Sequence, residues 1–188
     1  MRIAVTAETD KNETRVAATP ETIKKFMNLG AEVVVQAGAG TTSGFADADY
    51  AAAGAKIAES AAGAVDNAEV VLRVRRPTAA EIAGAARGAA VVCIADPFGH
   101  ERELQSVAAT GATLFAMELM PRITRAQVMD VLSSQANIAG YRAVIDAAAE
   151  YGRAIPMMMT AAGTVPAAKI FVMGVGVAGL QAIATARR

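Results

Sequence analysis

The segment that most constrains this chain is its last twenty residues. An apolar run, Ile170-Phe-Val-Met173, has the length of a buried strand and enters Gly174-Val-Gly176-Val177-Ala-Gly179, after which an alanine-rich stretch runs on without a helix breaker. Strand, tight turn and helix in that order constitute a dinucleotide-binding fingerprint. The first glycine makes the turn, the second lets backbone approach a pyrophosphate, and the third lets helix and strand pack closely. The anion then rests on the helix N-terminus, where unbonded N–H groups and the helix dipole favour it. An ordinary glycine-rich turn between strand and helix has the same letters. The acidic residue that holds the adenosine ribose is expected about 20 residues further on, beyond Arg188. The reading is therefore of a nucleotide domain that is begun here and truncated.

Upstream, the chain alternates strands and helices. Arg2 to Thr6 reads as a strand, Thr19-Pro20 as a helix start closed by Gly30, and Glu32 to Gln36 as a second strand. A glycine-rich loop, Ala37 to Gly44, lacks the Lys-Ser/Thr ending of a phosphate-binding P-loop. Asp47 to Ala53 reads as a short helix and Lys56 to Ala58 as a minor strand. Further strands are predicted at Glu69 to Val74, Ala90 to Ala95 and Thr113 to Ala116, with helices at Thr78 to Ala86 and His100 to Ala109. This rhythm predicts an α/β fold, a doubly wound and mostly parallel sheet with ligands at the carboxyl ends of its strands. The expected organisation is an N-terminal α/β domain over 1–120, a loop and long connecting helix over 121–160, and the first βα unit of a second, Rossmann-type domain over 161–188.

Bulk properties narrow the function. With 18 basic and 18 acidic residues the net charge is zero, so no electrostatic footprint for nucleic acid is visible. No run approaches the about 18 apolar residues of a membrane span. One cysteine, Cys93, leaves no intrachain disulfide or multi-cysteine zinc site. The strand-like amino terminus has no signal-peptide pattern, and the expected location is the cytoplasm.

From about Thr124 to Tyr151 only Gly140 interrupts a helical pattern, which predicts one helix of roughly seven turns. Gln127, Asp130, Ser134, Asn137 and Tyr141 then share a face. Such a stripe fits a solvated surface or a ligand cleft, and its amide and hydroxyl content favours the cleft. Met157, Met158 and Met159 read as core filling. No nucleophile pairs with a base: His100 is the only histidine, placed among charges at a helix start, and Cys93 falls in an apolar strand. Arg15 and Arg75 could meet at the sheet edge to bind an anion, or be plain surface charge. What remains is a cofactor that brings its own chemistry.

Three stretches carry a resemblance: Pro121 to Val144, Pro156-Met-Met-Met-Thr-Ala-Ala-Gly-Thr-Val-Pro166, and Gly174 to Ala186, with Arg15-Val-Ala-Ala-Thr-Pro20 near the start. Together they closely resemble the NAD(H)-binding alpha subunit component of proton-translocating NAD(P) transhydrogenase, whose fold is shared with alanine dehydrogenase. The resemblance implies that Arg122, Gln127 and Asp130 form the loop that orients the dihydronicotinamide, with Ser133 and Tyr141 nearby. Gly174, Gly176, Val177 and Gly179 would bind the NAD(H) cofactor. It further implies hydride transfer to NADP(H) on a partner component, a membrane component coupling this to proton movement, a homodimer, and a peripheral position on the inner face of the cytoplasmic membrane. The alternatives are alanine dehydrogenase and an inactive fragment of either. In alanine dehydrogenase the resemblance implies pyruvate held by a first-loop arginine, matched by Arg15, and by a lysine where this chain has Arg75. A histidine is expected immediately after the next strand, where Ala95-Asp96-Pro97 stands instead.

Overall fold

The computed structural model describes residues 1–187; Arg188, the last residue of the expected nucleotide segment, lies outside the described residues. The chain divides into two compact units, Met1–Met120 and Pro121–Arg188.

The first unit is built on six parallel strands: β1 (Arg2–Val5), β2 (Glu32–Gln36), β3 (Lys56–Ala58), β4 (Val70–Arg75), β5 (Ala90–Ile94) and β6 (Thr113–Ala116). They lie in the order β3-β2-β1-β4-β5-β6, so the sheet, expected to be mostly parallel, is parallel at every pairing. Side chains alternate across it. Ile3 and Val5 enter one core with Ile23 and Tyr50. Ala4, between them, enters another with Val65, Val91 and Val107. Helices α1 (Pro20–Asn28) and α2 (Asp47–Ala52) supply the first core, and α3 (Ala61–Val65) and α4 (Glu101–Ala108) the second. Because both faces are covered, the central strands are mainly apolar, with Arg73 of β4 the buried exception. The strand order reverses between β1 and β4, and the loops leaving their carboxyl ends define the crevice of such a sheet.

Local chemistry accounts for the helix ends. Thr19 caps α1 by accepting from the Thr22 amide, with Pro20 in the first turn. The glycine-rich loop is structural: Thr42 and Ser43 hydroxyls donate to Thr14 O at 3.0 and 2.7 Å. A Cβ on Gly40 would fall 2.6 Å from a ring carbon of Tyr50, whose buried hydroxyl donates to Ala18 O at 2.9 Å. The helix expected over Thr78 to Ala86 is only a 3-10 turn, Ala80–Ile82. Gly84 O accepts from Asn67 N and Ala86 N donates to Ala68 O, so backbone groups that would continue a helix are spent on the neighbouring loop. The short α3, capped by Ser60, was not expected.

In the second unit the expected long helix is broken. Thr124–Met129 forms a 3-10 turn, Asp130 turns out of helical geometry at ψ 91°, and α5 runs over Val131–Glu150. Asp130 is a cap here and not an interior residue, because its carboxylate accepts the Ser133 amide. The five-residue stripe is therefore reduced to Ser134, Asn137 and Tyr141. After α5, β7 (Met158–Thr160) and β8 (Gly163–Val165) form an antiparallel hairpin. Its methionines are not core filling: Met159 is 74% exposed. Ile170 to Met173 has no ladder partner among the described residues and is not a strand; a strand is defined by its neighbour. Helix α6 (Val177–Ala186) follows and packs on α5.

Candidate functional site

Two groups of side chains and backbone atoms make up the candidate site in the second unit. The first is organised by Asp130. Its Oδ1 accepts the Ser133 amide at 2.9 Å, its Oδ2 accepts the Ser133 hydroxyl at 2.7 Å, and Arg122 stands 3.9 Å away. The bonds from Ser133, with the Arg122 charge, hold the carboxyl below the usual aspartate range. Gln127 lies in the preceding 3-10 turn, where its carbonyl accepts the Asp130 amide at 3.2 Å, and its side chain is exposed. Arg122, Gln127, Asp130 and Ser133 thus belong to one bonded loop. Tyr141, two turns further along α5, is half-exposed.

The second group is the glycine turn. Gly174 takes a left-handed φ of +99°, which favours glycine. Gly176 is the N-cap of α6 and offers no side chain; a Cβ there would meet no described atom within 4 Å, so its backbone faces open space. The first bonded amide of α6 is Leu180, donating to Gly176 O at 2.9 Å, which leaves the amides of Val177, Ala178 and Gly179 ahead of it. A Cβ on Gly179 would lie 2.8 Å from the Gly174 carbonyl carbon. The three glycines therefore behave as turn, bare backbone and close contact.

The first unit holds a separate charged cluster at its crevice. Glu13 is buried and accepts from Arg15 Nε at 2.7 Å, Arg15 Nη2 at 2.6 Å and Arg75 Nε at 2.9 Å. Arg15 and Arg75 do meet, on a carboxylate of this chain. The Arg15 hydrogen bond, with the Arg15 amide and charge and a further bond from Arg75, outweighs burial and lowers the Glu13 carboxyl to about 2. Deeper in, Arg73 is buried against Glu8, Glu81 and the Thr6 hydroxyl. After β5, Asp96 holds a φ of +46°, fixed by Glu118 on its amide and by Arg76 and His100 on its carbonyl.

The alanine dehydrogenase/PNT N-terminal domain matches residues 4–139 and the corresponding C-terminal domain residues 143–188. This chain belongs to the alanine dehydrogenase/PNT family. It is 52% identical, over its whole length, to an NAD(P) transhydrogenase subunit alpha protein of Rhodospirillum rubrum, of which it covers 50%. It is 32% identical over 97% of its length to the alanine dehydrogenase of Halomonas elongata, covering 49% of that protein. Among solved structures, the transhydrogenase from Sinorhizobium meliloti superimposes with a TM-score of 0.94 at 61% identity, across the whole of this chain and 56% of that one. An L-alanine dehydrogenase does so with 0.84 at 25% identity, across the whole of this chain and 52% of that one. The chain spans about half the length of the curated relatives it matches.

Two residues with exacting surroundings are not signalled by the local sequence. Arg73 reads as one more strand residue, and only its place on the buried side of β4, two residues after Val71, signals a charge that needs partners. Gly140 reads as a flaw in a helix. A Cβ there would lie 2.8 Å from the carbonyl carbon of Ala178, so it is a contact between α5 and the first turn of α6. Cys93 is a core residue, 1% exposed.

Proposed function

We propose that this chain is the NAD(H)-binding region of the alpha subunit of a proton-translocating NAD(P) transhydrogenase. The observation that carries the reading is the α5–α6 pair, which bears the Asp130 loop on one helix and a fully formed glycine turn on the other. The cradle fits a dinucleotide: backbone is bare at Gly176, amides precede Leu180, and the Gly174–Gly179 contact leaves no room for a side chain. Identity of 44–52% to transhydrogenase alpha subunits, against 30–32% to alanine dehydrogenases, favours the first of the two family activities.

A bound dihydronicotinamide would supply the hydride, two electrons and a proton moving together, so no side chain has to act as acid or base. The chain's own residues hold and orient. Gly174, Gly176, Val177 and Gly179 would carry the pyrophosphate. Arg122, Gln127 and Asp130 would set the ring, with Ser133 fixing Asp130 and Tyr141 alongside. Holding two reacting rings in register contributes roughly 7–11 kcal/mol in well-oriented systems. In this reading residues 1–120 form the first domain, 121–160 the loop and connecting segment, and 161–188 the beginning of the nucleotide domain. NADP(H) sits on a partner component, a membrane component couples transfer to proton movement, and the subunit works as a homodimer, peripheral on the inner face of the cytoplasmic membrane. No helix of the described residues is long and apolar enough to cross a membrane.

Alanine dehydrogenase is the second reading. It is disfavoured where it expects a histidine directly after β5: Ala95-Asp96-Pro97 stands there, and the His100 ring is engaged by the Asp96 carbonyl at 2.9 Å.

The test is Gln127→Asn in the full-length protein with its NADP-bearing component. Hydride transfer is expected to slow far more than NADH binding weakens. Equal losses in both would remove Gln127 from its orienting role, and oxidation of L-alanine by the unmodified protein would overturn the reading.

A further inference from the structure

Glycine inside a helix costs about 1 kcal/mol relative to alanine, and α5 keeps one at its midpoint. Gly140 is buried. A Cβ on it would lie 2.8 Å from the carbonyl carbon and 3.0 Å from the Cα of Ala178, and nearer still to the Ala178 oxygen. These are backbone atoms, which cannot swing aside as a side-chain tip can. Ala178 is the second residue of α6 and one of the amides that precede the first bonded one.

The same first turn of α6 is also pressed on the Gly174 carbonyl through Gly179. One turn along, Val144 and Ala182 are both buried and continue the contact between the helices. The first turn of α6 is thus clamped between α5 and the glycine turn. From its Asp130 cap to Gly140, α5 advances ten residues, roughly 15 Å at 1.5 Å each. The helix is a ruler with the ring-orienting loop at one end and the pyrophosphate cradle seated against its middle.

We propose that Gly140 is a positioning residue for hydride transfer: by admitting the Ala178 backbone against α5, it fixes the cradle relative to the Arg122–Asp130 loop. The inference rests on the transhydrogenase reading. A methyl group at position 140 pushes α6 and the glycine turn away together, because the Gly174–Gly179 contact is untouched. The cradle keeps its own shape and loses its register with the loop.

Gly140→Ala in the full-length protein tests this with two ligands. ADP-ribose, which engages the cradle but has no nicotinamide, should bind with a Kd within about threefold of the unmodified protein, while kcat for hydride transfer should fall by about 100-fold, the loss a misplacement near 1 Å produces. Parallel losses in both, or an unchanged kcat, would overturn the proposal. Hydrogen exchange of the unmodified protein gives a second reading that does not depend on the variant folding. Amides of residues 137–144 and 178–182 should open as one cooperative unit, and independent opening would also overturn it. If the unmodified protein transfers no hydride to NADP, the transhydrogenase reading fails, and the exchange experiment still decides whether Gly140 locks the two helices.

Discussion

Replacing Glu13 with glutamine removes one charge and keeps the shape. In the folded chain the Glu13 carboxyl is held at about 2 by Arg15 and Arg75, whereas an unfolded glutamate titrates near 4.3. The difference, roughly two pH units at 1.36 kcal/mol each, corresponds to about 3 kcal/mol of linked stability. Arg15 and Arg75 remain 35% and 51% exposed, so solvent screens the cluster and about 2 kcal/mol is the loss to expect at pH 7. The folded value is depressed, so this stability is fully present above the unfolded pKa and disappears as pH falls through the folded one. Urea unfolding followed by circular dichroism should therefore separate the two proteins most at pH 7. The separation should narrow progressively below about pH 4.3 and nearly vanish near pH 2. A separation that stays constant from pH 7 to pH 2 would show that Glu13 contributes through packing, and the electrostatic account would fail.

Tyr50→Phe strands the Ala18 carbonyl in the first core and should lower stability by about 1–2 kcal/mol, read as a drop in melting temperature; no change would mean that carbonyl finds another donor. The Cys93 thiol, pushed up to about 12 by burial and by the nearby Glu118 charge, should resist an aromatic disulfide reagent at pH 8 in the folded chain and react promptly in denaturant. Labelling at equal rates in both states would place the thiol outside the core.

Strands in the first unit were legible because their pattern is local. Apolar runs between turn residues identify β1, β2, β5 and β6 to within a residue or two, and Thr19-Pro20 announces α1 by its own cap chemistry. The differences arise where a tertiary partner, or a side chain that competes with the helix for a backbone amide, decides the outcome. A loop at Asn67 and Ala68 claims the backbone of Gly84 and Ala86, and a predicted helix shrinks to a turn. Asp130 looks like one polar position on a helical stripe until its carboxylate is seen to take the Ser133 amide and end the helix there. Ile170 to Met173 has strand composition, but composition cannot supply the neighbour that makes a strand. In the candidate site, the three turn glycines follow from spacing. The role of Gly140 does not, since its contact lies 38 residues away and involves only backbone. Glu13 is equally silent in the sequence: two arginines invite an external anion, and nothing local reveals that the chain provides its own.

The division of the first unit into two cores sets an order of assembly. The buried members of one face all come from Ile3 to Ala55, whereas the other draws on Ala4 and then on Val65 through Val107. A chain emerging from the ribosome amino end first presents every fully buried member of one face before the helices that shield its opposite have been synthesised. β1 then serves as a seam, with Ile3 and Val5 committed early and Ala4 waiting for β4 to arrive. The small side chain at that position leaves the least apolar surface uncovered during the wait.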